Sequence, residues 1–197
     1  MGARKKTAVR QAEIVEAALR VIAERGVREL TVATIAEVAG MSVANIYRHF
    51  RDKNELLRAV AEEVGTMVMG RAATVAAGSG SPLAKLATIF RAHLELIAAN
   101  PGIPRLVFSE ELHSGPPTLA EPLALRIALY LETIAGIVAA GQREGEIRQD
   151  LAPRETAVTL LGMIQFSTLR WSLSRGAFSL PEEGMRLWNN FETLLRE

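Results

Sequence analysis

LTVATIAEVAGMSVANIYRHFRDKNELL, residues Leu30–Leu57, holds three helix starts and one helix stop within 28 residues. Thr31 precedes the first apolar run, and its hydroxyl suits the free N–H groups of a first helical turn. Leu30 and Ile35 stand around it at the spacing of a hydrophobic staple. Ile35, Val38 and Ala39 share one side, and Gly40 supplies the left-handed residue that closes a helix. Ser42 opens a second, short helix over roughly Val43–Phe50, with Met41 and Ile46 again in the staple relation. Asp52 opens a third, where Glu55 completes a D-x-x-E variant of the capping box. Two capped helices joined by a glycine turn predict a helix-turn-helix. In such a unit the second helix stands clear of the body, free to enter a DNA major groove.

Thr31, Ile35-Ala36, Ala39-Gly40, Ser42, Ile46-Tyr47, His49-Phe50, Lys53 and Leu56 together resemble the signature of the tetracycline-repressor (TetR) family. The similarity spans about a quarter of the chain, and the string IYRHFRDKNELL after an AG turn is its most specific part. The resemblance implies an all-α protein. Its expected parts are an N-terminal three-helix helix-turn-helix DNA-binding domain, residues 1–55, and a C-terminal helical effector-binding and dimerisation domain, residues 56–197.

Composition agrees with that class. Of the 197 residues 49% are hydrophobic and only 5% aromatic, so the core must be built from Ala, Leu, Ile and Val. Segments of this kind, with little alternation of β-branched residues, read as helices. No uninterrupted apolar run reaches the ~18–20 residues that span a bilayer. The basic N-terminus lacks the apolar stretch of a secretory signal. There is no cysteine, which excludes disulfides and thiolate-bound zinc and agrees with a cytoplasmic protein. The net charge of +1 conceals an asymmetry: residues 1–54 hold ten Lys/Arg against six acids, a balance of +4, which leaves −3 for the remainder. The basic share therefore accompanies the helix-turn-helix, where a polyanion would be met.

Helical periodicity predicts a first helix over Ala8–Arg25, with Ile14, Ala18, Val21 and Ile22 on one face and Gly26 as its stop. From Asp52 the pattern continues to about Ala77 with a stripe of Leu56, Val60, Val64 and Met67/Val68. The GSGSP stretch at Gly78–Pro82 then breaks it. Further helices are expected over Pro82–Ala99, about Pro104–His113, Thr118–Arg143, Pro153–Arg175 and Pro181–Arg196. Thr118–Arg143 is apolar nearly all round and is expected to be buried. The last two helices carry more apolar surface than one small domain covers, which marks an interface. In the TetR family the last two helices of each subunit pair into a four-helix dimer contact, and Ala157 and Gly162 are small enough for close approach.

Within the second helix, Ile46 and Phe50 are spaced to point inward. Val43, Ala44, Asn45, Tyr47, Arg48 and His49 are left toward solvent or DNA. Asn pairs bidentately with adenine, and Val43 or Ala44 suits a thymine methyl. The resemblance places groove contacts at Val43–Asn45, Tyr47 and His49 near phosphates and Lys53 on the DNA backbone; Thr31 is a further phosphate candidate, and Ser42 is counted with the DNA-binding residues. Tyr47 and His49 equally suit packing within the helix pair. Arg4, Lys5 and Lys6 are expected to form an arm that adds salt-dependent affinity. Two departures from the family matter: Ala33 stands where members often carry a long polar residue, and Asn45 where they often carry Thr, Ser or Gly.

The candidates for the effector site are polar or aromatic residues set in apolar helix: His93, Phe108, His113, Gln165, Phe166, Arg170 and Trp171. A packing role suits each of them as well. Gln165, in LLGMIQF, stands out because an amide buried in apolar surroundings needs a partner. The three histidines, His49, His93 and His113, match no HExxH-type spacing, and no triad is evident, so no enzyme, cofactor or metal is expected. The expectation is a homodimeric regulator of double-stranded DNA, a repressor released from a palindromic operator by a small hydrophobic effector. The competing expectation is a nucleoid-associated, architectural DNA-binding protein without an effector.

Overall fold

Ten helices and no strand make up the described residues of the computed structural model, which are residues 2–196, with side chains from residue 7 onward. The helices are α1 (Gly2–Arg25), α2 (Val32–Ala39), α3 (Val43–Tyr47), α4 (Lys53–Ala77), α5 (Pro82–Ala99), α6 (Gly102–Val107), α7 (Glu110–Ser114), α8 (Pro117–Arg143), α9 (Pro153–Leu173) and α10 (Leu180–Leu195). Packing gathers Met1–Gly65 and Asn100–Ala124 into one unit, and Thr66–Ala99 with Leu125–Glu197 into a second. The division is not linear, as a cut at 55/56 would make it: α4 and α8 each contribute to both units.

Unit 1 is assembled around α1, whose Ile14, Ala17, Ala18, Val21 and Ile22 are fully buried. Leu30, Ile35, Ile46, Leu56 and Val60 complete its core. α6 also seats on α1. A Cβ on Gly102 would lie 2.6 Å from the Leu19 carbonyl oxygen, so the approach of these two backbones needs glycine.

In unit 2, α10 lies against α5 and α9. Its amphipathic stripe turns Gly184, Trp188, Phe191 and Leu195 inward. Trp188 sits against Phe90 and Phe191 at ring separations of 5.7 and 6.1 Å, and its indole N–H donates to the Glu192 carboxylate at 2.9 Å. The loop after α8 is tied by Gln142, whose amide donates to the carbonyls of Arg148 and Leu151 at 3.0 and 2.8 Å.

Most expected helices are found within a residue or two, and the exceptions have physical causes. α1 begins at Gly2, so the segment expected to be an arm has helical backbone; the side chains of Arg4, Lys5 and Lys6 lie outside the described residues. The block expected over Pro104–His113 is two helices, because Ser109 interrupts it by capping α7 through the Leu112 N–H. α8 is not buried as its composition suggests: over its most apolar 18 residues only 22% is buried, and Leu125 is 62% exposed. That window has the length and hydropathy of a membrane-crossing helix, although Arg126 and Glu132 interrupt the apolar run. An apolar helix is buried only where neighbours reach it. Ala157 is fully buried in its own protomer and is unavailable to an interface, whereas Gly162 is exposed.

Candidate nucleic-acid interface

The helix pair is set by hydrogen bonds between residues close in sequence. Thr31 is extended at φ −123° and ψ 159°, and its hydroxyl accepts the Thr34 N–H at 3.1 Å. Thr34 returns the bond, its hydroxyl lying 3.0 Å from the Thr31 N–H, so the two threonines form a capping box. The signal for Thr34 is easily missed, because the usual residue at that place is Glu or Gln. At the other end of α2, Gly40 takes φ 63° and ψ 35°, and the Met41 N–H reaches the Ala36 carbonyl at 2.9 Å. This is the Schellman closure that a left-handed residue permits. Ser42 then caps α3 by accepting the Asn45 N–H at 3.2 Å.

α3 covers only Val43–Tyr47, three residues short of the expected Phe50. Its last turn tightens, with the His49 N–H on the Ile46 carbonyl at 2.9 Å. Ile46 and Phe50 point inward as their spacing requires. Ser42, Val43, Ala44, Tyr47 and Arg48 are exposed, Asn45 and His49 half-buried, and Thr31 exposed at the neighbouring cap. A short helix anchored by one isoleucine thus presents a row of side chains outward. The His49 ring lies partly in the helix pair, with a buried Nδ1 that has no partner.

α4 opens with Asp52, whose carboxylate accepts the Glu55 N–H at 2.8 Å. Glu55 reaches back one residue further than a capping box requires and accepts the Arg51 N–H at 2.7 Å. That bond holds the Glu55 carboxyl below its ordinary range. Lys53 is half-buried and donates to the Val27 carbonyl at 3.4 Å, so its ammonium has a protein partner when no phosphate is present. Arg25 and Glu37 pair at 3.1 and 3.3 Å and tie the end of α1 to α2.

The seven effector-site candidates divide between the units. Phe108 and His113 belong to unit 1, and the other five to unit 2. Both unit 1 residues are exposed, and His113 Nε2 lies 2.9 Å from the Val107 carbonyl oxygen. In unit 2, His93 Nδ1 is 3.0 Å from the Tyr130 hydroxyl, with the rings edge to face at 5.3 Å. Burial pushes the His93 imidazole down to about 4 and the Tyr130 hydroxyl upward, so both are uncharged at neutral pH. Gln165 is half-buried rather than enclosed, and Phe166 is 63% exposed. Arg170 is exposed, bonded to Glu183 at 3.2 Å and stacked over Phe178 at 5.6 Å. Trp171 is half-buried near Gly176. Of the enclosed polar residues of α9, Thr156 donates to the Ala152 carbonyl, while Ser167 and Thr168 lie two and three positions beyond Gln165. Neither was distinguishable by sequence from an ordinary surface hydroxyl. Among the described residues no group of three or more His, Asp or Glu converges as a metal site.

Comparison with known proteins agrees with this geometry. The profile of bacterial regulatory proteins of the tetR family matches residues 14–60, and that of the tetracyclin repressor-like C-terminal domain matches residues 79–190. The fatty acid metabolism regulator protein of Bacillus subtilis is 26% identical over 168 residues, 85% of this chain and 86% of its own length. The HTH-type transcriptional repressor KstR2 of Mycolicibacterium smegmatis is 32% identical over 90 residues, 46% of this chain and 44% of its own. The crystal structure of FadR from Bacillus subtilis with stearoyl-CoA superposes at a TM-score of 0.80 with 24% identity. It covers 94% of this chain and 99% of that one, which shows a shared fold. Since the C-terminal match alone spans more than half of the residues and the N-terminal match falls on the helix-turn-helix, this chain belongs to the tetR family of bacterial regulatory proteins and is a DNA-binding transcriptional regulator, not an enzyme.

Proposed function

We propose that this regulator is a cytoplasmic homodimeric repressor that leaves a roughly palindromic operator when an apolar effector of the long-chain acyl type binds its C-terminal domain, residues 56–197. The observation that carries the DNA-binding part is the outward row of Val43, Ala44, Tyr47 and Arg48 on an α3 capped by Ser42, with Ile46 buried beneath it. Asn45 and Arg48 read base edges, Ser42, Val43 and Ala44 line the groove, and Thr31, Tyr47, His49 and Lys53 hold phosphates. Lys53 must exchange the Val27 carbonyl for a phosphate oxygen to do so.

Dimerisation is supported by α9. Its outer face carries Val158, Phe166, Leu169 and Leu173 exposed, with Leu173 at 76%. These residues recur at helical spacing and form a contiguous apolar stripe of the kind that marks an interface. α10 contributes less than expected, since Trp188, Phe191 and Leu195 are spent on its own protomer and only Leu194 among its large apolar residues is exposed. Two heads on one dimer meet half-sites about 34–36 Å apart. The acyl class of effector is taken from the relative crystallised with stearoyl-CoA and from the apolar core of unit 2. Release requires that the effector bind the DNA-incompetent arrangement better than the competent one.

Selection of binding sites from random duplex DNA with the purified protein tests this. An inverted repeat is expected. Asn45→Ala should relax one base pair in each half-site at a cost of about 1–3 kcal/mol, while Lys53→Ala should weaken all sequences alike and flatten the salt slope. Binding that enriches no motif and only fades with salt favours the architectural reading instead.

A further inference from the structure

Within unit 2, α9 and the part of α8 after Ala124 each turn an apolar side to solvent. On α8 the buried residues Tyr130, Ile134, Ile137 and Val138 fall together, and Tyr130 there meets His93 of α5. Leu125, Ala128, Leu129, Glu132 and Gly136 are exposed and recur three or four residues apart, so they share the opposite side. On α9 Val158, Gly162, Phe166, Leu169 and Leu173 recur in the same way. A Cβ on Gly136 or on Gly162 would meet nothing within 4 Å, so each outer side has an open notch.

The Glu132–Arg154 ion pair joins the two sides. Glu132 stands three residues after Leu129 and Arg154 four before Val158, so the pair makes one surface of them. It also neutralises both charges, which removes the larger cost of covering an unpaired one. α10 offers no such surface. Trp188, Phe191 and Leu195 face its own protomer, and besides Leu194 its exposed residues are Glu182, Arg186, Asn189, Asn190 and Thr193. Area separates one helix from two. A single helix side about 10 Å wide and about 30 Å long gives ~300 Å² of flat area, whereas a stable interface takes ~800 Å² from each partner. Two joined sides double the area, and the corrugation of side chains adds to it. Spacings of three and four residues are also those of helices packed in four-helix bundles.

We infer that the outer side of α8, Leu125 to Gly136, binds a second copy of this chain together with the α9 stripe, in a four-helix contact of α8 and α9 from each protomer. The inference rests on the proposed homodimer and puts α8 where the family pattern implied α10. The occupant follows from continuity: a second copy that covers the α9 stripe extends across the ion pair onto α8. A closed dimer uses one surface twice about a two-fold axis, so a single joined side serves both protomers.

Sedimentation of the full-length protein over a concentration series tests this. Leu129→Arg on α8 and Leu169→Arg on α9 should each raise the dimer dissociation constant at least about tenfold, because each removes a leucine that the contact buries. Asn190→Arg on the polar side of α10 should leave it unchanged. Circular dichroism should show wild-type helix content in all three, since each residue is exposed in the single protomer. A second measurement disrupts nothing: the chain has no cysteine, so Ala128→Cys carries a single spin label. That label should be immobile in the dimer and mobile after dilution to monomer, and equal mobility in both overturns the inference. Leu129→Arg that dimerises as wild type does also overturns it, and leaves the α9 reading intact if Leu169→Arg still dissociates. Loss of the dimer in Asn190→Arg overturns it in favour of α10. A monomeric wild type sinks the inference and the homodimer together, and its cosedimentation with phosphatidylcholine vesicles would give the face to lipid instead.

Discussion

The helix pair at Thr31–Phe50 and helix α9 solve the same problem, the placing of polar groups beside an apolar core, in opposite ways. In the pair, Thr31, Thr34 and Ser42 are each bonded to a group three residues away, and Gly40 closes α2 at a single left-handed position. In α9, which packs on α5 and α10, Ser167 and Thr168 are buried and bonded to nothing. A cap is complete within one turn of chain, so the pair is organised by its own sequence. The condition of α9 is imposed by helices distant in sequence. The first arrangement is complete within its own turn of chain, whereas the second depends on the packing around it.

The contrast can be sharpened by substitutions in both regions. The largest effect is expected for Trp188→Ala, which empties the site between Phe90 and Phe191. A loss of about 3–5 kcal/mol is expected on chemical denaturation, with the cost confined to the transition of unit 2 if the head is as self-contained as its caps suggest. Gly40→Ala forces a Cβ into the left-handed region and should cost about 1–2 kcal/mol, lowering operator affinity in step. Thr31→Ala removes one half of the capping box and should cost ~1 kcal/mol; an unchanged melting temperature would show that α2 is held by packing alone. The smallest effect at neutral pH belongs to His93→Gln. In the fold the imidazole is pushed down to about 4, while in the unfolded chain it titrates near its ordinary 6.5. The unfolded state thus binds the extra proton between those values, so wild-type stability falls as pH drops from about 6.5 to about 4. Denaturation midpoints of His93→Gln across that window should slope less steeply. Equal slopes would place the acid sensitivity elsewhere.

How far the sequence could be read follows the same division. Thr31, Gly40, Ser42 and Asp52 announced their helix ends because caps and stops act over three or four residues. Ile46 and Phe50 were legible as inward-facing for a similar reason, since helical spacing alone sets their direction. The missed partner Thr34 was local too, hidden only by standing where Glu or Gln is usual. Errors collect where a distant segment decides. Ala157 suited an interface by size, yet the core of its own protomer encloses it. Gln165 is only half-buried while Ser167 and Thr168 are enclosed, because on a helix apolar on several faces the periodicity does not single out the buried side.

The chain by itself determined an all-helical protein, the caps and turn of its helix-turn-helix, the identity of the inward residues there and the family to which they belong. These depend on intervals of a few residues, within which backbone hydrogen bonding and helical periodicity leave little choice. Only the tertiary structure decided that packing divides the chain non-linearly, that only a minor share of the apolar stretch of α8 is buried while α10 turns most of its large apolar residues into its own protomer, that His93 meets Tyr130, and that two hydroxyls of α9 are enclosed without partners. Burial is a property of what lies across a space, and helices far apart in sequence supply it through contacts that local periodicity does not encode.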